Sequence, residues 1–387
     1  MVVAAYASSI AARPISAGAL LQHSRLDTAL PRSRRPRDRL RIALLAPLSG
    51  PAGLWGPSCQ TSAELAAREV NESGGVLGRE LELRFIDGGR SPQEVTDETL
   101  DLITSGGAEA VIGMHISAVR QALVRALRGR IPYVYTPVYE GGESAPGVFM
   151  VGETPALQLK PSIEWLTERR GARRWYFIGN DYVWPHVSHR AADRYVAANG
   201  GTVVGECYVP FGCEDYETYL DGIRKASPDA VLVSMVGSDC VAFNRAFADS
   251  GLDRHILRLS AASEENTLLG IGAENARNLF FAAGYLAGLK TPENLAFLDR
   301  YHAAFGADAP VPNTIGESCY EGVRLYSELA RRAGSLDIET LGRASEGLSY
   351  IGARGRSHML GRHLHTDIYL AEADGLDFRI VQHFPGG

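Results

Sequence analysis

From Arg41 onward the chain alternates short, continuous apolar runs with amphipathic stretches of helical spacing, and that rhythm constrains the fold more than any other feature. RIALLAPL (41–48) ends at Ser49-Gly50-Pro51 and reads as a strand covered on both faces. TSAELAAREVNE (61–72) follows at helical spacing and is stopped by Gly74-Gly75. The same alternation continues through ELELRFID (80–87), EVTDETLDLIT (94–104), AVIGM (110–114), VRQALVRALRG (119–129) and PYVYTPV (132–138). Parallel strands need crossover helices between them, so these units predict a doubly wound α/β sheet.

The rhythm then restarts. PSIEWLTERRG (161–171), RRWYFIGN (173–180), HRAADRYVAANGG (189–201), GTVVGECYV (201–209), YETYLDGIRKA (216–226), DAVLVSMVG (229–237) and CVAFNRAFADSG (240–251) form a second α/β series. A chain of 387 residues is long enough for two cores. After NLFFAAGY (278–285) come two helical stretches, 293–306 and 317–334. Short alternating segments then run around SHML (357–360), 366–375 and 376–384, with Asp374-Gly375 as a hairpin turn. In such sheets a ligand lies beyond the carboxyl ends of the parallel strands.

Composition excludes several functions. A net charge of -6 argues against a nucleic-acid surface, and no stretch approaches the roughly 20 apolar residues of a membrane span. The five cysteines read as reduced thiols, with a Cys207–Cys213 bridge as the alternative for an exported protein. Met1 to Leu30 is broken by Arg13, Pro14, His23, Arg25 and Asp27, and the arginine run 32–39 follows it in the wrong order for a secretory signal. Residues 1–40 are therefore expected to be a disordered tail on a cytoplasmic protein, with an extracellular or periplasmic location as the alternative.

The motifs of serine hydrolases, P-loop and dinucleotide-binding proteins and zinc proteases are missing, so no enzyme, metal or cofactor is expected. His186 and His189 lack a third ligand nearby. Four strand ends look instead like ligand-facing loops. SGPAGLWGP carries Leu54 and Trp55. Met114-His115-Ile116-Ser117 ends where a helix opens, so Ser117 and its neighbouring N–H groups face the cleft. YTPVYEGG (135–142) and GNDYVWPH (179–186) add aromatics, and Tyr182 and Trp184 share a face if the backbone is extended.

ALLAPLSGPAGLWG and ELAAREVNESGGVLGRELELRFIDGG resemble the start of the leucine/isoleucine/valine-binding family of type I periplasmic-binding-like proteins. Within it, IGMHISAVRQAL, YTPVYEGGE, FIGNDYVWP and RLSAASEEN look most like the amide sensors of bacterial amidase operons and the urea-binding transporter subunits, across roughly residues 41–384. The resemblance implies two lobes joined by three crossovers, 41–157 with 287–333 and 158–286 with 334–387, closing on a ligand. It implies that Ser117 bonds the ligand, that His115 stands where tyrosine is common, and that Pro137 and Val138 replace a Thr-Pro pair. Tyr182 and Trp184 would pack over the ligand, Gly237 and Ser238 border it, and Glu264 receive its N–H or ammonium. Tyr139 and Tyr285 are rim candidates, with Glu140 and Glu317.

No arginine or lysine stands in the four loops, which favours urea or a short amide over a free amino acid. The resulting expectation is a small-solute binding protein that takes a nitrogen-bearing ligand. As a cytoplasmic sensor it would act through a regulator protein on amide or nitrile metabolism genes. The alternative is the receptor of an ABC transporter for urea, short amides or branched-chain amino acids, with a permease as partner. A homodimer is compatible with either.

Overall fold

The computed structural model describes residues 39–386. The expected tail therefore lies outside the described residues, except that Arg39 and Leu40 already belong to the first strand. The first series is β1 (Arg39–Ala46), α1 (Gly56–Glu72), β2 (Glu80–Asp87), α2 (Pro92–Thr104), β3 (Ala110–Gly113), α3 (Ser117–Leu127), β4 (Tyr133–Tyr135) and β5 (Val148–Met150). The second is α4 (Pro155–Arg170), β6 (Arg174–Asn180), α5 (Val183–Ala198), β7 (Thr202–Val209), α6 (Glu217–Ala226), β8 (Ala230–Ser234), α7 (Gly237–Asp249), β9 (Leu257–Ser260), α8 (Glu265–Ile271) and β10 (Leu279–Ala283).

Each series builds its own sheet with the same winding. The first runs β2-β1-β3-β4-β5 and the second β7-β6-β8-β9-β10, all parallel. The apolar runs are continuous because the strands are covered on both faces. In β1, Leu40, Ile42, Leu44 and Ala46 enter one core while Ala43 and Leu45 enter another. In β8, Ala230 and Leu232 divide from Val231 and Val233 in the same way.

The returning chain changes the picture drawn from sequence. Helices α9 (Pro292–Phe305), α10 (Thr314–Ala333) and α11 (Ile338–Ser345) precede β11 (Ser349–Gly352), β12 (Gly355–Leu360) and β13 (His363–His365). These three strands join the first sheet beyond β5; only β14 (Ile368–Asp374) and β15 (Asp377–Phe384) join the second. The returning segment thus divides after His365, not at 334, and both sheets are mixed, with antiparallel edges. Residues 334–365 misled because short alternating strands carry no signal of which sheet they will pair with.

The chain crosses between lobes at 151–154, 284–291 and 366–367, and one buried cluster gathers all three. Glu153 Oε1 accepts Gly284 N at 2.7 Å and Arg354 Nη1 at 2.8 Å, while Arg354 Nε bonds Glu317 Oε2 at 2.5 Å. A Cβ on Gly284 would lie 2.5 Å from Glu153 Oε1 and 2.8 Å from Thr366 Cγ2, so only glycine lets the crossovers approach this closely. Glu317, a rim candidate by resemblance, belongs to this hinge cluster. All five cysteines are free thiols, so Cys207 and Cys213 are not bridged.

Candidate functional site

In both sheets the winding reverses between the first strand of the series and the third, between β1 and β3 and between β6 and β8. Loops leaving these strands diverge to opposite faces and open a crevice at each reversal. The two crevices face one another. Trp55, Ile116, Tyr182 and Val236 are the N-cap residues of α1, α3, α5 and α7, and all four line one cavity between the lobes. None of the four helices has a side-chain cap. Ser91, Glu264, Thr291, Asn313 and Asp337 cap α2, α8, α9, α10 and α11, while α4 and α6, whose starts lie away from this cavity, also lack a side-chain cap. The first N–H groups of a helix find no acceptor inside it, so the starts of α3, α5 and α7 direct donors at the same space. The start of α1 does not, because it continues a 3-10 turn, its Gly56 N–H bonds Gly53 O and Pro57 has no N–H.

The walls are mostly aromatic and apolar. Met114, His115, Ser117, Tyr135, Pro137, Val138 and Ile315 complete the first lobe's wall, and Trp184 and Ala262 the second's. Tyr182 and Trp184 lie with ring centroids 6.3 Å apart. Both reach the cavity, but not along an extended strand: α5 begins at Val183, so Tyr182 is the extended N-cap and Trp184 is already helical. The free space at the centre is about 20 Å³, room for about one water molecule. This is a closed arrangement.

The polar side chains of the first wall are held by one another. Ser117 Oγ donates to Glu140 Oε2 at 2.6 Å, and Arg120 Nη2 bonds Glu140 Oε1 at 2.5 Å. Arg120 also pairs with Glu143, and its guanidinium lies over the Tyr135 and Tyr139 rings at 5.5 and 5.4 Å. Tyr135 donates to His115 O at 2.9 Å. His115 is buried, with Nε2 2.9 Å from the Tyr133 hydroxyl and Nδ1 3.2 Å from Ile116 O. Burial pushes its pKa down to about 3, so the ring is neutral.

Several expected contacts sit elsewhere. Glu264 is fully buried and does not line the cavity: Oε1 accepts Trp55 Nε1 at 2.6 Å, Thr267 N at 2.9 Å and Thr267 Oγ1 at 2.7 Å, and Oε2 accepts Asn266 N at 2.7 Å. Burial raises its pKa, and its acceptors are occupied by the α8 cap and by an indole from the opposite lobe. Glu264 is a latch between lobes. Tyr285 bonds Asn294 Oδ1 at 2.8 Å inside the core. Tyr139 bonds His363 Nδ1 at 2.6 Å and lies behind Tyr135. Ser238 is exposed, and Leu54 and Gly237 form the lobe contact beside the cavity rather than its lining. His186 and His189 pair with Asp181 and Glu206, and the described residues contain no cluster that could hold a metal ion.

A family model described as periplasmic binding protein matches residues 39–377. The chain belongs to the periplasmic binding protein family. The "Leu/Ile/Val-binding protein homolog 3" of Brucella melitensis biotype 1 is 22% identical over 302 residues, 77% of this chain and 80% of that protein. A solute binding protein of an ABC transporter from Rhodopseudomonas palustris HaA2, in complex with p-hydroxybenzoic acid, superposes with a TM-score of 0.82 at 20% identity, covering 90% of this chain and 98% of that one. A branched-chain amino acid transporter substrate binding protein from Streptococcus pneumoniae, in complex with isoleucine, gives 0.74 at 19% identity, covering 90% and 99%. At these identities the superpositions establish the type I fold.

Sequence reasoning about this periplasmic binding protein missed Val236, Ala262 and Ile315 in the cavity and the Arg120–Glu140–Glu143 cluster behind it. Ile315 escaped because α10 begins three residues before the expected start at 317. Arg120 was visible only as a charged residue on an amphipathic helix; its two acidic partners stand 20 and 23 residues away, in a loop.

Proposed function

We propose that this chain is the solute receptor of an ABC-type importer and closes on a short amide or urea. The carrying observation is the lining itself: aromatic rings, the uncapped starts of α3, α5 and α7, and no Asp, Glu, Lys or Arg side chain among the cavity residues. A guest's carbonyl oxygen is served by backbone donors, while a free amino acid would bring an ammonium with no acidic partner waiting for it. Glu264, the acidic residue expected there, is already occupied.

The importer role, rather than that of a sensor for amidase or nitrile-hydratase genes, is supported by the family and by relatives described as transport receptors. An exported location and a permease partner accompany it. Among the described residues no helix is long and apolar enough to cross a membrane. Thermal denaturation with acetamide, propionamide, urea, benzoate, 4-hydroxybenzoate and isoleucine tests the ligand class. The amides or urea are expected to raise the melting temperature and isoleucine to leave it unchanged; stabilisation by isoleucine or an aromatic acid alone would reverse the assignment. Fractionation of the native protein tests the role, since recovery in the cytoplasm with a regulator protein would restore the sensor.

A further inference from the structure

We propose that Glu140 makes this cavity select an N–H-bearing guest over a carboxylate, by holding the Ser117 hydroxyl proton away from the bound solute. The proposal rests on the amide reading above and adds the residue that enforces it.

A serine hydroxyl carries one proton. Here it points to Glu140 Oε2 at 2.6 Å, and a carboxylate paired with a guanidinium has no proton to return. The side chain of Glu140 is fixed from its other oxygen by Arg120, which is itself clamped by Glu143 and covered by two tyrosine rings. What Ser117 has left for the cavity is a lone pair.

The neighbouring groups are polarised the same way. Tyr135 gives its proton to His115 O, so its oxygen, 3.5 Å from Ser117 Oγ, is also left as an acceptor. His115 Nδ1 faces a carbonyl, which can only accept, so the ring proton sits on Nδ1 and Nε2 receives the Tyr133 hydroxyl. His115 has no donor to spare. The first lobe's polar side chains therefore offer two acceptors side by side, and its donors are the backbone N–H groups at the start of α3. An amide or urea matches both halves, NH2 to the hydroxyl oxygens and C=O to the helix start. A carboxylate brings acceptors against acceptors.

Calorimetry on the full chain with propionamide and propionate near neutral pH provides the test. The parent is expected to favour the amide, and Glu140→Gln to lower the amide-to-acid affinity ratio by about tenfold or more, because a carboxamide NH2 can donate to Ser117 Oγ and free the hydroxyl proton. Glu143→Gln removes the same charge from the same cluster without touching Ser117, and is expected to leave the ratio within about threefold. Should Glu140→Gln fail to fold, Ser117→Ala carries the same expectation, since it deletes the acceptor. An unchanged ratio in the folded variant, or equal shifts in the Glu140 and Glu143 variants, would overturn the proposal while leaving the amide reading intact. A parent that binds neither of these compounds nor urea would overturn the amide-or-urea reading and this proposal with it.

Discussion

His115 is a residue whose environment sets a measurable sign. Its ring is enclosed and neutral, with burial holding its pKa near 3 against an ordinary value near 6.5. Between those values the unfolded chain binds a proton that the folded chain refuses, so folding stability is lost as pH falls from about 6.5 towards 3. Guanidinium chloride denaturation is expected to show a steeper loss between about pH 6 and pH 4 for the parent than for His115→Gln; equal slopes would show that the ring is not the group responsible. At this scale the sequence was legible where a short loop carried the chemistry, as in Met114-His115-Ile116-Ser117. Glu264 was not. Its fate depends on Trp55, 209 residues away, and no local pattern announces that an indole will reach a carboxylate first.

Elements were legible wherever an apolar run or a helical period exceeded about one turn. The strand ELELRFID spans the expected residues, 80–87. The very short strands β5 and β13 were not anticipated, because three residues hold no period. Helix starts at the cleft were placed too late: α5 begins six residues before the expected 189, since a helix entering at an aromatic N-cap lacks the usual Ser, Thr, Asp or Asn signal. The start of α7 repeats that omission and adds a steric condition. Gly237 has φ +49°, and a Cβ there would lie 2.0 Å from Pro51 O of the opposite lobe. Gly237→Ala is expected to hold α7 away from the Pro51–Trp55 turn and to weaken amide affinity by about tenfold or more while leaving the far-ultraviolet spectrum unchanged. Parent-like affinity would mean that this contact is dispensable for closure.

The whole molecule was legible as two wound sheets but not in the division of its last segment. The winding is repeated locally and so is written twice, whereas the pairing of β11 to β13 is decided by β5, some 200 residues earlier. Among the described residues, Trp55 Nε1 to Glu264 Oε1 is a buried side-chain hydrogen bond that crosses the cleft. Trp55→Phe keeps an aromatic, though smaller, ring and removes the bond, which for a charged acceptor contributes about 1.5–3 kcal/mol. Small-angle scattering of the variant is expected to show a larger radius of gyration without solute and a partial return on saturation. Identical curves for variant and parent would deny the latch its role.

The placement of β11 to β13 also has a temporal consequence. Translation delivers five of the eight strands of the first sheet by Met150, yet the last of them is not made until His365. At about 5–20 residues per second, the edge at β5 waits on the order of ten to forty seconds for its neighbour. The portion made first is thus completed almost last, and through that interval the nascent polypeptide presents an open apolar margin. A cell making this protein must keep that margin from pairing with strangers, and a product that ends before His363 never covers it.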